Sequence, residues 1–183
     1  ESQKLGSSSS KSLVDNASRI GFKGTEDLGG GLKTSFVLEH GFGVDAGQAG
    51  APFWGREATV ALSGGFGKVM LGNAAASESY FATVDYVSMH NHDTGSSSDA
   101  LAAYVATGAL QNSVSYFSPA MGGFNFAAQY GIREGAEVDA PLVIAANYDA
   151  GALHLGFGME KNGSAKSFGV RALYEIGAFT FGG

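Results

Sequence analysis

Cysteine is absent from the 183-residue chain, which excludes disulfide frameworks and thiolate metal sites. Proline is nearly absent, 3 residues against 29 glycines, so the glycine does not belong to a disordered Pro/Gly linker. Charge is scarce at 15%, where a globular domain carries about a quarter. Positive charge is scarcest, with 11 Lys and Arg against 17 Asp and Glu. That balance excludes a nucleic-acid surface, which needs a basic stripe or patch. Long apolar runs are missing as well. The best, residues 100–110, is interrupted by Tyr104 and Thr107, which excludes a membrane helix. A membrane β-barrel stays open, because its strands need only about 9–11 residues each. Residues 1–12 are polar and serine-rich, unlike a secretory signal.

What is present is a repeated punctuation: Gly, then Gly or Ala, then Leu or Phe. It occurs at Gly30-Gly31-Leu32, Gly64-Gly65-Phe66, Gly122-Gly123-Phe124, Gly151-Ala152-Leu153 and Gly177-Ala178-Phe179. Each copy predicts a tight turn followed by a strand, since turn glycines supply positive φ. Three of the four intervals suit two strands of about ten residues each, and the long one leaves room for one extended loop.

The segments after the turns alternate. Leu32, Phe36, Leu38 and Phe42 oppose Lys33, Ser35, Val37 and Glu39. Phe124, Phe126, Ala128 and Tyr130 oppose Asn125, Ala127 and Gln129; Leu153, Leu155, Phe157 and Met159 oppose His154, Gly156, Gly158 and Glu160. Period two predicts strands with one apolar and one wet face. Returning strands are expected at 18–25, 53–63, 113–118, 142–148 and 167–174, giving about nine whole strands and the start of another at Phe179. Connections at 43–51, 73–111, 132–139 and 161–166 are expected to be the longer ones. Short turns on one rim and long polar loops on the other suit an all-β, transmembrane antiparallel β-barrel. A soluble sandwich fits the alternation too, but a dry core punishes inward Glu39, Gln129 and Glu160; a water-filled lumen accepts them, and Lys33 with them.

Three blocks carry a family resemblance. Ser18–Lys33, with Arg19-Ile20-Gly21-Phe22-Lys23-Gly24, resembles the second strand and first periplasmic turn of Gram-negative general porins. Gly55–Gly72 and Asn112–Phe124 resemble two later blocks of the same family. The resemblance implies a 16-stranded homotrimeric barrel in the bacterial outer membrane, in contact with lipid and lipopolysaccharide, passing small hydrophilic solutes and ions without a cofactor. On that template residues 1–183 hold about 9–10 strands, from the second into the eleventh, a fragment of the whole barrel. Residues 73–111 correspond to the third loop, which folds inward and narrows the lumen. Its acids include Glu78, Asp85, Asp93 and Asp99, although a solvated loop charge accounts for each as simply. The family faces this loop with arginines, matched here by Arg19 and Arg56; Lys23 shares the face of Arg19 by period two. A basic wall opposite an acidic loop orients ions and dipolar solutes. Two basic positions of the family are replaced by Asn73 and Ala109, which predicts a weakened anion preference.

Parity raises one difficulty. An inward Arg56 carries Ala58, Val60 and Leu62 inward with it, and leaves Glu57, Thr59 and Ala61 outside. Other chemistry finds little support. His90-Asn91-His92-Asp93 lacks a further ligand at metal spacing, so no metal site is expected. No nucleophile, base and orienting group are placed together, and the glycine turns lack the phosphate-loop Gly-Lys-Ser/Thr, so no catalytic residue is expected. The competing functions are a substrate-selective channel on the same scaffold and a structural or adhesive barrel with no pore.

Overall fold

The computed structural model describes residues 2–5, 8–11, 13, 15, 17–75, 78–83, 109–132 and 140–183. A short hairpin opens the chain, β1 (Ser2–Leu5) against β2 (Ser8–Lys11). The main sheet then runs through β3 (Arg19–Gly29), β4 (Leu32–Gly43), β6 (Glu57–Gly64), β7 (Gly67–Ala75), β8 (Ala109–Phe117), β9 (Phe124–Gly131), β10 (Leu142–Ala150), β11 (Leu153–Asn162), β12 (Ala165–Ile176) and β13 (Phe179–Gly182). Each of these ten strands pairs antiparallel with the next, so the sheet order follows the chain from β3 to β13, with β4 pairing directly to β6. The two-residue β5 (Gln48–Ala49) pairs with the end of β4. Among the described residues between β7 and β8 lies a short helix, α1 (Glu78–Thr83). No helix among the described residues is long and apolar enough to cross a membrane, which does not bear on crossing by strands.

The five glycine motifs fall at five hairpin turns. Gly31 has φ +81° and Gly123 φ +87°, the left-handed region that side-chain-bearing residues avoid. At Gly123 a Cβ would also run into the Asp149 carbonyl oxygen. The meander is therefore pinned where the sequence places its glycines.

Three boundaries differ from expectation. Residues 53–56 are not strand; β6 begins at Glu57. Residues 161–166 are not a long connection: β11 and β12 meet at a tight turn where Gly163 has φ +60°. The hairpin also consumes both ends of the loop expected at 73–111, since β7 runs to Ala75 and β8 starts at Ala109.

Candidate functional site

Strand register sorts the side chains into two faces. Directly opposed partners share a face, so the pairs Gly21↔Glu39, Lys23↔Val37 and Glu39↔Glu57 place these residues together. Following partners across the sheet adds Thr59, Lys68, Ser115, Gln129, Val143, Glu160 and Arg171 to the same face. The opposite face carries Ile20, Phe22, Phe36, Val60, Leu71, Phe157, Phe168 and Val170. It is apolar and open: Val60 is 51% exposed and Phe168 77%. The helix α1 lies over β10, β11 and β12 on the polar face, where Ser79 bonds to Glu160.

This register corrects the parity argument for β6. Glu57, Thr59, Ala61 and Ser63 share the face of Glu39, whereas Ala58, Val60 and Leu62 lie on the apolar face. Arg56 nevertheless reaches the polar face, because it precedes the strand and does not follow its alternation. Its approach is fixed by a clamp on residues 52–55. The His40 ring, 6% exposed, donates Nδ1–H to the Phe53 carbonyl and stacks on the Phe53 ring at 4.1 Å. Trp54 packs edge-on against Phe53 at 4.8 Å and against Phe22 at 6.3 Å. From the other side, Asn73 Nδ2 donates to the carbonyls of Trp54 and Gly55, each at 3.2 Å. Asn73 pairs with Ala58 of β6 and sits where the β7–β8 register shifts.

Held there, Arg56 crosses over Gly41, where a Cβ would meet its Cδ at 3.1 Å. Its Nε donates to Glu39 Oε1 at 2.6 Å. The Arg19 guanidinium lies 3.9 Å from the same oxygen. Two arginines thus share one carboxylate, which offsets one of their two positive charges, and Glu57, directly opposite Glu39 on the same face, places a second carboxylate nearby.

Other predicted residues take separate places. Lys23 lies on the same face, opposite Val37 and toward the short turns from Arg19, and Lys33 pairs with Asp27 and Ser63 near those turns. Gln129 and Glu160, both 1% exposed, lie on the same face as Arg19 but several strands away from it along the sheet. Gln129 Nε2 reaches Ser115 Oγ at 3.3 Å, and Glu160 is covered by α1. Asp85, Asp93 and Asp99 lie outside the described residues, as do His90 and His92. Among the described residues no three potential ligands gather in metal-binding geometry.

Two groups on the polar face, Lys68 and Arg171, escaped the sequence reading, although parity along their strands points to each. Lys68 sits over the Phe117 ring, 4.0 Å from its centroid, and acts electrostatically on Glu78 at the start of α1. Burial pushes the Glu78 carboxyl up from its ordinary value, and Lys68 opposes this more weakly. Arg171, 4% exposed, lies beneath α1. Nearer the short turns, His154 Nδ1 is 2.7 Å from Asp149 Oδ1 and its Nε2 is 3.7 Å from Glu175 Oε1.

Comparison with known proteins gives a consistent picture. A family model described as Gram-negative porin matches residues 1–183. Outer membrane porin protein 32 of Delftia acidovorans is 35% identical over 129 residues, covering 65% of this chain and 35% of that protein. Major outer membrane protein P.IB of Neisseria meningitidis serogroup B is 29% identical over 158 residues, covering 86% of this chain and 43% of that protein. The chain therefore spans less than half the length of these relatives. Among solved structures, an anion-selective porin from Comamonas acidovorans superposes with a TM-score of 0.63 at 24% identity, over 91% of this chain and 56% of that one.

Proposed function

The chain belongs to the Gram-negative porin family and to the bacterial outer membrane, and from that premise we propose that the protein is a general diffusion channel. Its polar face lines a water-filled lumen, its apolar face meets lipid or a neighbouring subunit, and the working unit is a homotrimer embedded among lipid and lipopolysaccharide. One observation carries the proposal: along the middle of the strands charged and apolar side chains fall on opposite faces of one continuous meander, and the charges on the apolar side, Glu26, Lys161 and Lys166, sit near strand ends. Exposed Ile20, Val60 and Phe168 make physical sense in hydrocarbon, while Arg19, Lys23, Lys33 and Glu39 make sense only in water.

The constriction is formed on one side by Arg19, Lys23 and Arg56, with Glu39 between the two arginines. The facing side is assigned to the segment between β7 and β8, which carries Asp85, Asp93 and Asp99. A transverse field between them aligns dipolar solutes and weights the passage of ions. Passage is passive, so the protein acts as a sieve and not as an enzyme.

Liposome swelling with sugars of graded size tests this. Rates that fall smoothly with solute size and do not saturate are expected. Saturation, with competition between related solutes, would replace the general sieve by a substrate-selective channel. Absence of swelling with every solute would favour a barrel without a pore.

A further inference from the structure

Two polar side chains stand on the apolar face at its loop end. His40 pairs with Ile20 and Asn73 with Ala58, so strand register turns both away from the polar face. An imidazole or an amide facing hydrocarbon costs free energy unless it is hydrogen-bonded. Both find their partners in the same short segment. His40 Nδ1–H donates to the Phe53 carbonyl, and Asn73 Nδ2 donates to the carbonyls of Trp54 and Gly55 at 3.2 Å each. The Phe53 ring stacks on His40 and Trp54 reaches Phe22 on the same face. Residues 53 and 54 are therefore folded back over the outside of the sheet.

Arg56 follows two residues later with its side chain on the other face. Glycines make the crossing possible. Gly55 N donates to the Pro52 carbonyl at 2.9 Å, in a turn where a Cβ on Gly55 would meet that oxygen at 2.8 Å. Gly50 N donates to the Gly41 carbonyl at 2.8 Å, and Gly41 leaves room for Arg56 Cδ. Since β6 begins only at Glu57, strand pairing does not fix the step from Trp54 to Arg56. The His40 and Asn73 side chains hold it from behind.

We propose that His40 and Asn73 are positioning residues for Arg56, so that ion selectivity inside the lumen is set in part from the membrane side of the wall. The proposal rests on the channel reading above. With residues 53–55 clamped, the Arg56 guanidinium stays 2.6 Å from Glu39, in the ion path. With the clamp lost, the segment swings, and the rotamer freedom of a long side chain draws Arg56 away from a fixed ion pair into open water.

The test measures reversal potentials of the full-length protein in planar bilayers across a salt gradient. Arg56→Gln gives the endpoint. Loss of one positive unit beside the ion path moves the permeability ratio about fourfold toward cations at about 0.15 M salt. Asn73→Ala and His40→Phe are each expected to move it about twofold in that direction, part of the way to the endpoint. His40→Phe keeps a ring against Phe53 and removes only the donor, so it remains informative if Asn73→Ala does not fold. Far-UV circular dichroism checks that β content is unchanged. Added to Arg56→Gln, neither substitution shifts the ratio further, whereas a general loosening of the wall would shift it again. Clamp variants with the wild-type ratio, or with a shift that persists in full on top of Arg56→Gln, overturn the clamp. An Arg56→Gln channel with the wild-type ratio removes Arg56 from the ion path and the proposal with it. A wild-type protein that conducts nothing overturns instead the channel reading on which the clamp depends.

Discussion

Replacing Glu39 by Gln isolates the electrostatics of the constriction. The carboxylate lies 2.6 Å from Arg56 and 3.9 Å from Arg19, so its removal raises the local charge by one positive unit. These side chains are 30–52% exposed, which puts the cluster in a high-dielectric setting. A monovalent ion passing about 5 Å away then gains or loses about 0.8 kcal/mol in pure water, and about 0.4 kcal/mol with a Debye length near 8 Å. That is about a twofold gain for anions with a twofold loss for cations, so the permeability ratio moves about fourfold toward anions at about 0.15 M salt. At about 10 mM salt, with a Debye length near 30 Å, the same arithmetic gives about tenfold. Reversal potentials of the full-length protein across a salt gradient measure this directly. A ratio that stays put, or moves toward cations, refutes the placement of Glu39 in the ion path.

Two further outcomes follow from the two faces and from α1. The Glu78 carboxyl, in the first turn of α1, is pushed up by burial, so its neutral form favours α1 resting against the polar face; that contribution is complete below the ordinary value of 4.5 and is lost as pH rises through the raised one. Conductance is therefore expected to be lower at acid pH than at neutral pH, and Glu78→Gln to hold it at the acid level throughout; a pH response unchanged in Glu78→Gln contradicts the assignment. On the apolar face, Val60→Arg is expected to cost about 2–4 kcal/mol of folding stability in phospholipid vesicles, whereas Thr25→Arg on the polar face costs under about 0.5 kcal/mol. Urea titration of the vesicle-inserted protein separates them, and equal costs would remove the distinction between the faces.

Most of the meander was legible because strand alternation is local. Leu153 to Glu160 or Phe124 to Tyr130 declare both faces within a few residues, and the glycine motifs mark where the chain turns. Arg56 was misleading for a non-local reason. Its position depends on His40 and Asn73, which clamp residues 52–55 from other strands, so parity counted from Arg56 had no strand to follow. The polar stretch at 161–166 has a loop-like composition, yet Gly163 closes it in a tight turn and the neighbouring polar residues join the ladder. Gly156 and Gly158 carry no readable signal by themselves, since glycine in a strand fits a weak strand, a bulge or a close approach equally well. Only α1 resting on them reveals which applies. Arg171 was within reach: Phe168, Val170 and Ala172 set the outward positions and leave it inward.

The central claim is that water fills the space on the polar side of this sheet. Adding the full-length protein to a planar bilayer and recording current at fixed voltage tests it most directly. Discrete upward steps are expected, ohmic at low voltage and growing in proportion to bulk salt conductivity. A membrane that stays electrically silent while the protein is inserted and folded contradicts the account.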